Sequence, residues 1–137
     1  MIIAVDFDGI LAEDDGQFPE IGPPIYPMVS FVRELMDEGH EVVLWTSRTD
    51  KALEDAVEWC EDRGLHFCAV NDNAPSNKAK YAAQYPNGTR KVSAHIYIDD
   101  HNPEFIVDMC MGTSQTINKL IGKIRKAVEL WNRAGVN

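Results

Sequence analysis

Cysteine is scarce in this 137-residue chain, and Cys60, Cys68 and Cys110 share no Cys-x-x-Cys spacing. An odd, scattered set supports neither a disulfide framework nor a zinc site, so buried reduced thiols are the expectation. Long apolar runs are missing too: nothing approaches the roughly 18 residues of a membrane span, and the hydrophobic start turns acidic too soon for a signal peptide. A cytoplasmic protein is therefore expected, with no membrane partner. Basic residues are in the minority, with 13 Lys and Arg against 22 Asp and Glu and a formal charge of -9. A protein that tracks a nucleic-acid backbone draws its affinity from basic residues, so nucleic acid is an unlikely partner here, while a small nucleotide stays compatible. There is no internal repeat and no low-complexity tract. What remains is ordinary globular composition, 45% hydrophobic and 26% charged, at a length that suits one domain spanning 1–137.

The most informative stretch is Ile2-Ile3-Ala4-Val5-Asp6-Phe7-Asp8-Gly9, an apolar strand that ends in two carboxylates at i, i+2 and is released by a glycine. Side chains two apart on a strand share a face, so Asp6 and Asp8 can point the same way where the chain leaves the sheet. Two anions side by side are costly unless a cation or a shared proton compensates them. A second apolar run, Glu41 to Trp45, ends in Thr46-Ser47-Arg48, and a third, His95 to Ile98, ends in Asp99-Asp100 with Glu104 beyond. Lys91 precedes the third run, with Lys78 and Lys80 further back.

Acid pair, hydroxyl, lysine and acid pair, in that order and with the acids and hydroxyl at strand ends, resembles the four motifs of haloacid dehalogenase-like phosphohydrolases over nearly the whole chain. Ile10 stands where that family usually has Thr or Val, a departure at a turn-shaping position. Lys91 sits just before its strand, as in the smallest members, and is preferred over Lys78 and Lys80. The spacing from Asp100 to Glu104 matches that of the family's last acid.

Element by element, residues 10–27 are rich in Gly, Pro and acids and read as a flap, loop or short hairpin. Helical spacing follows in Met28, Phe31, Val32, Leu35 and Met36, closed by Gly39. Asp50 is placed to cap a helix that Gly64 stops, His66 to Val70 reads as a strand, and a helix through Lys78 to Gln84 is expected. Ser114 opens a long helix over 114–134 with the stripe Ile117, Leu120, Ile121, Ile124, Val128 and Trp131. Alternating strands and helices imply an α/β, Rossmann-like, doubly wound parallel sheet, in the order 3-2-1-4. Ligands of such sheets sit beyond the carboxyl ends of the strands, where all the proposed residues fall.

Phosphoryl transfer asks for a positioned nucleophile, charge neutralisation and a proton for the leaving group. Asp6 suits the nucleophile and Asp8 the acid and base. The resemblance adds the aspartyl-phosphate intermediate. An oxygen-only site suits Mg²⁺, with Asp6, the carbonyl of Asp8, and Asp99 or Asp100 as ligands and Glu104 or the other aspartate behind them. Thr46 and Lys91 are expected on phosphate oxygens, with Gly9 and Ser47 nearby. Arg48 either forks onto a phosphate or another anionic group or pairs with a nearby acid at the start of the following helix.

Neither gap between motifs holds a substantial cap, which leaves a small phosphorylated metabolite or nucleotide as the expected substrate and a covering homo-oligomer as an option. The alternatives are a macromolecular phosphoester, a weakly catalytic metal and phosphate-binding module on the same fold, and a signalling receiver domain. The last has no place for the tandem Asp99-Asp100.

Overall fold

The computed structural model describes residues 1–106 and 115–135. Cys110 and Ser114, for which a buried thiol and a helix start were expected, lie outside the described residues. Four strands, β1 (Ile2–Val5), β2 (Glu41–Leu44), β3 (Ala69–Val70) and β4 (Ile96–Ile98), form one all-parallel sheet in the order β3-β2-β1-β4, the order expected from the sequence. Register matters most for the site. Val5 stands opposite Leu44 on one side and Ile98 on the other, so Asp6, Trp45 and Asp99 leave the sheet at one level.

Helix α1 (Tyr26–Asp37) buries Met28, Phe31, Val32 and Leu35, the i, i+3, i+4, i+7 stripe read in the sequence. It begins two residues earlier than that stripe, because Pro27 is tolerated in a first turn where its missing N–H has no partner to lose. Its end is set by Gly39 at φ 88°, with Gly39 N–H donating to Met36 O at 3.0 Å and His40 N–H to Leu35 O at 3.1 Å. In α2 (Asp50–Glu61), Asp50 is not the cap: Thr49 holds that position and Asp50 is the first helical residue. Helix α3 (Pro75–Lys80) is shorter than expected and starts at its proline, while residues 81–84 form a turn. After a helical stretch at 103–106, α4 (Thr116–Ala134) packs Ile124 and Val128 into the core, flanked by Ile117, Leu120 and Ile121.

Alternation along the strands divides the apolar residues between two faces. Ile3, Val5, Val42, Leu44 and Ile98 pack with α1, α2 and α4 into the main core. Ile2 and Val43 face the other way, under a thinner layer of Ala74 and Val92 with Trp45 beside them. The chain crosses that second face between β3 and β4, which makes the sheet doubly wound. β3 is the edge strand and spans only two residues of the expected five. Edge position also explains Cys68, which is exposed rather than buried, whereas Cys60 is buried and its thiol is pushed up to about 12 by that burial.

Residues 10–25 form a hairpin-like flap, the last two of the expected 10–27 belonging to α1. A bridge pairs Ala12 with Pro24, and Glu13 N–H donates to Pro23 O at 2.8 Å. The two limbs cross so closely at the base that a Cβ on Gly22 would lie 2.1 Å from Glu13 O, so only glycine passes. Among the described residues no helix is long and apolar enough to cross a membrane.

Leu44 is fully buried on the central β2, so Leu44→Ala is expected to cost about 2–5 kcal/mol in urea unfolding. Leu130→Ala, on the exposed side of α4, should stay within about 0.5 kcal/mol of the parent.

Candidate functional site

Level strand ends deliver their residues into one cleft of ≈ 550 Å³, lined by Asp6, Asp8, Thr46, Ser47, Arg48, Asp99, Asp100 and His101, with flap residues Glu13 to Asp15, Phe18 and Glu20 on its rim. The parallel ladder continues one bond past β1, Asp6 N–H donating to Ile98 O at 2.9 Å, and this fixes Asp6 beside the start of the Asp99-Asp100 turn. Ligand atoms of Asp6, Asp99, Asp100 and His101 all lie within 4.8 Å of one another. His101 Nδ1 is 2.9 Å from Asp100 Oδ1, and His101 N–H donates to Asp99 Oδ1 at 2.8 Å.

Burial and the crowding of like charge together act on Asp6. The Asp6 carboxyl is pushed up from 3.8 to about 8, chiefly by burial and further by the charges of Asp99 and Asp100, against the opposing pull of the Phe7 N–H. That N–H donates to Asp6 Oδ1 at 2.8 Å. A group that strongly resists ionisation beside two further carboxylates is what a divalent cation would relieve, and the oxygen-rich donor set suits a hard ion. Gly9 makes the approach tight: at φ 83°, a Cβ there would lie 2.3 Å from Asp100 Oδ2.

Asp8 shares the cleft but not the acidic cluster. Its carboxylate is forked by Arg48, Nε to Oδ2 and Nη2 to Oδ1, both at 2.8 Å. Arg48 is 2% exposed, and it also donates through Nη1 to Pro19 O at 2.9 Å and through Nη2 to Glu20 O at 3.2 Å. Four of its hydrogen bonds are therefore spent within the protein, and its ion pair is with Asp8 rather than with an acid at the start of α2 as expected. Thr46 Oγ1 accepts the Arg48 N–H at 3.1 Å.

Other expected residues fall elsewhere. Lys91 is not brought to the cleft: it lines a second cavity with Lys78 and Asn73, and its Nζ lies 5.9 Å from the Tyr97 ring centroid. The chain between α3 and β4 runs over the second face of the sheet, which carries Lys91 away from the carboxyl ends. Lys78 is paired with Asp72, and Lys80 lines a third cavity beside Met1 and Ile2 at the opposite end of the strands. Glu104 is paired with Lys123 of α4 at 2.6 Å and does not line the cleft. Sequence reasoning passed over Asn71. From the end of β3 its Oδ1 accepts the Thr46 N–H at 2.8 Å and its Nδ2 reaches Arg48 O at 3.5 Å, bracing the loop that carries both. Its backbone sits at φ 50°, a region Asn tolerates better than most residues, and a polar residue just after a strand was the available signal.

No family model and no curated protein matches the chain. A solved structure does: a conserved protein coded by a locus from Bacteroides thetaiotaomicron is similar at 36% identity, over 81% of this chain and 88% of that one, with a TM-score of 0.63.

Because the Asp6 carboxyl titrates near 8 in the fold and near 3.8 when unfolded, its proton stabilises the metal-free protein fully at low pH. That contribution is lost as pH rises toward and through about 8. Thermal unfolding in chelator should show the melting temperature falling across that window, with the fall flattened by Asp6→Asn and by excess Mg²⁺. An unchanged slope in Asp6→Asn would contradict the assignment.

Proposed function

We propose that this chain, which belongs to the family of that conserved Bacteroides thetaiotaomicron protein, is a Mg²⁺-dependent phosphomonoester hydrolase of the haloacid dehalogenase-like kind. One observation carries the reading: a buried-edge nucleophile candidate, an acid two residues on, a strand-end hydroxyl and a second acid pair meet in a single cleft at the carboxyl ends of β1, β2 and β4. Five residues distant in sequence converge there, and the sheet register explains why.

In this reading Asp6 attacks phosphorus in line, the bond to the leaving oxygen breaks, and an aspartyl phosphate forms. Asp8 gives its proton to the leaving oxygen. It then takes a proton from water, whose oxygen attacks phosphorus and releases phosphate and the Asp6 carboxylate. The Arg48 fork holds the Asp8 carboxylate in the form that takes a proton from water, so the base step needs no search over rotamers. One arm of the fork must open for Asp8 to carry the proton of the acid step. Thr46, in the same cleft, offers its hydroxyl to a non-bridging oxygen. Asp6, Asp99 and Asp100 would hold Mg²⁺, which supplies the positive charge that a phosphate dianion needs in so acidic a cleft. The cleft is small and rimmed by the flap, which favours a small phosphorylated metabolite or nucleotide over a macromolecule.

A second reading, a module that binds metal and phosphate with little turnover, is favoured by one specific observation: among the described residues no lysine lines the cleft. Phosphate release from a panel of phosphomonoesters, including an aryl phosphate and nucleoside monophosphates, separates the two. The hydrolase reading expects Mg²⁺-dependent release that chelator abolishes. Asp6→Asn should lower it by about 10³-fold or more, and Thr46→Val by about 10–100-fold. Saturable Mg²⁺ binding without release from any substrate would select the module instead.

A further inference from the structure

Asp8 is bridged through its backbone to Ala12 at the base of the flap. Among the described residues, however, its carboxylate is joined by hydrogen bonds to the flap tip only through one side chain. Arg48 grips Asp8 with Nε and Nη2 and grips the flap through the carbonyls of Pro19 and Glu20. Its planar group lies between two rings, 5.1 Å from the Phe7 centroid below and 5.2 Å from the Phe18 centroid above. Phe7 belongs to the core, whereas Phe18 is 67% exposed and has this guanidinium as its ring partner. Residues 13–20 are all exposed, so little apolar burial holds the flap tip down. What holds it is a cation bonded to main-chain oxygens and faced by a ring.

We propose that Arg48 is a positioning residue that couples the flap to Asp8, a pin through which closure of residues 17–20 over the cleft and orientation of the Asp8 carboxylate occur together. The geometry demands this sharing. A guanidinium is rigid and flat, with its five N–H groups in a fixed fork, so it cannot move to follow the flap while keeping its bidentate grip on Asp8. Lysine could satisfy the charge of Asp8 but not the two edges at once. Opening the flap strips Arg48 of its carbonyl partners and exposes two donors at the cleft mouth, beside the acid that would act on a substrate. That consequence for substrate entry rests on the hydrolase reading. The pin itself does not.

The test is therefore read first without turnover. A glutamate-specific protease can cut the exposed flap after Glu13 and Glu20, and the cut sites are assigned by mass spectrometry. Arg48→Ala should speed cutting after Glu20 by about ten-fold, as expected for loss of charge-assisted hydrogen bonds, with α2 and α4 cut no faster. Added guanidinium ion, far below denaturing concentration, should restore protection, and sodium at equal ionic strength should not. Asp8→Asn is the deciding variant: it leaves every flap residue and Arg48 in place, yet through the pin it should also speed cutting after Glu20. Faster cutting in Asp8→Asn together with guanidinium rescue of Arg48→Ala supports the coupling. Unchanged cutting in Asp8→Asn, or no rescue, overturns it. Absence of phosphate release from the wild type would sink the hydrolase reading alone, because the cutting pattern is measured independently of it.

Discussion

Like charges held together at the ends of two neighbouring parallel strands are the constraint on which this molecule turns. Asp6 follows β1 and Asp99-Asp100 follow β4, and pairing of Val5 with Ile98 leaves them no axial distance in which to separate. A fold that sought stability alone would stagger the strands or replace an acid. Here the cost, together with the larger one of burial, appears as an Asp6 carboxyl pushed up to about 8. The remaining architecture is arranged to bear that cost: a fully apolar β1, a core face packed by three helices, and a glycine at position 9 that lets the Asp100 carboxylate come close.

Much of this was legible in the sequence because it rests on short-range rules. Period-2 and period-3.6 patterns mark β1, β2, α1 and α4, glycines mark helix ends, and the handedness of crossover connections yields the strand order. The acids and Thr46 followed directly, since a residue just past a strand is located once the strand is. Lys91 and Glu104 were not legible in the same way. Both lie in connecting segments, where sequence distance from a motif says little about direction: the segment before β4 passes over the far face of the sheet, and Glu104 turns toward Lys123. For Arg48 an ion pair was foreseen but not its partner, because Asp8 and the carbonyls of a distant loop meet it only once the sheet and flap are folded. Asn71 was missed because its one signal, a polar residue just after a strand, does not say which loop it braces.

Arg48 and Asn71 together show how a small protein holds a cleft loop with few residues. Asn71 ties the backbone of Thr46 and Arg48 to the end of β3, and Arg48 ties the same loop to Asp8 and the flap. Each uses a planar side chain with donors or acceptors on two edges. Such groups transmit position between segments that share no apolar contact, which a cleft lined with carboxylates cannot supply by packing.

The crossing of Gly22 over Glu13, with Ala12 bridged to Pro24, closes the flap like a drawstring just above the sheet. Between that knot and the Arg48 contacts at Pro19 and Glu20, residues 14–17 form an exposed tip. Lengthening a loop whose ends are already fixed costs only weakly with the number of residues added. The tip is thus a natural port for inserted sequence: a whole folded module could be spliced between Asp14 and Gln17 while the Arg48 contacts and the carboxylate cluster beneath kept their register.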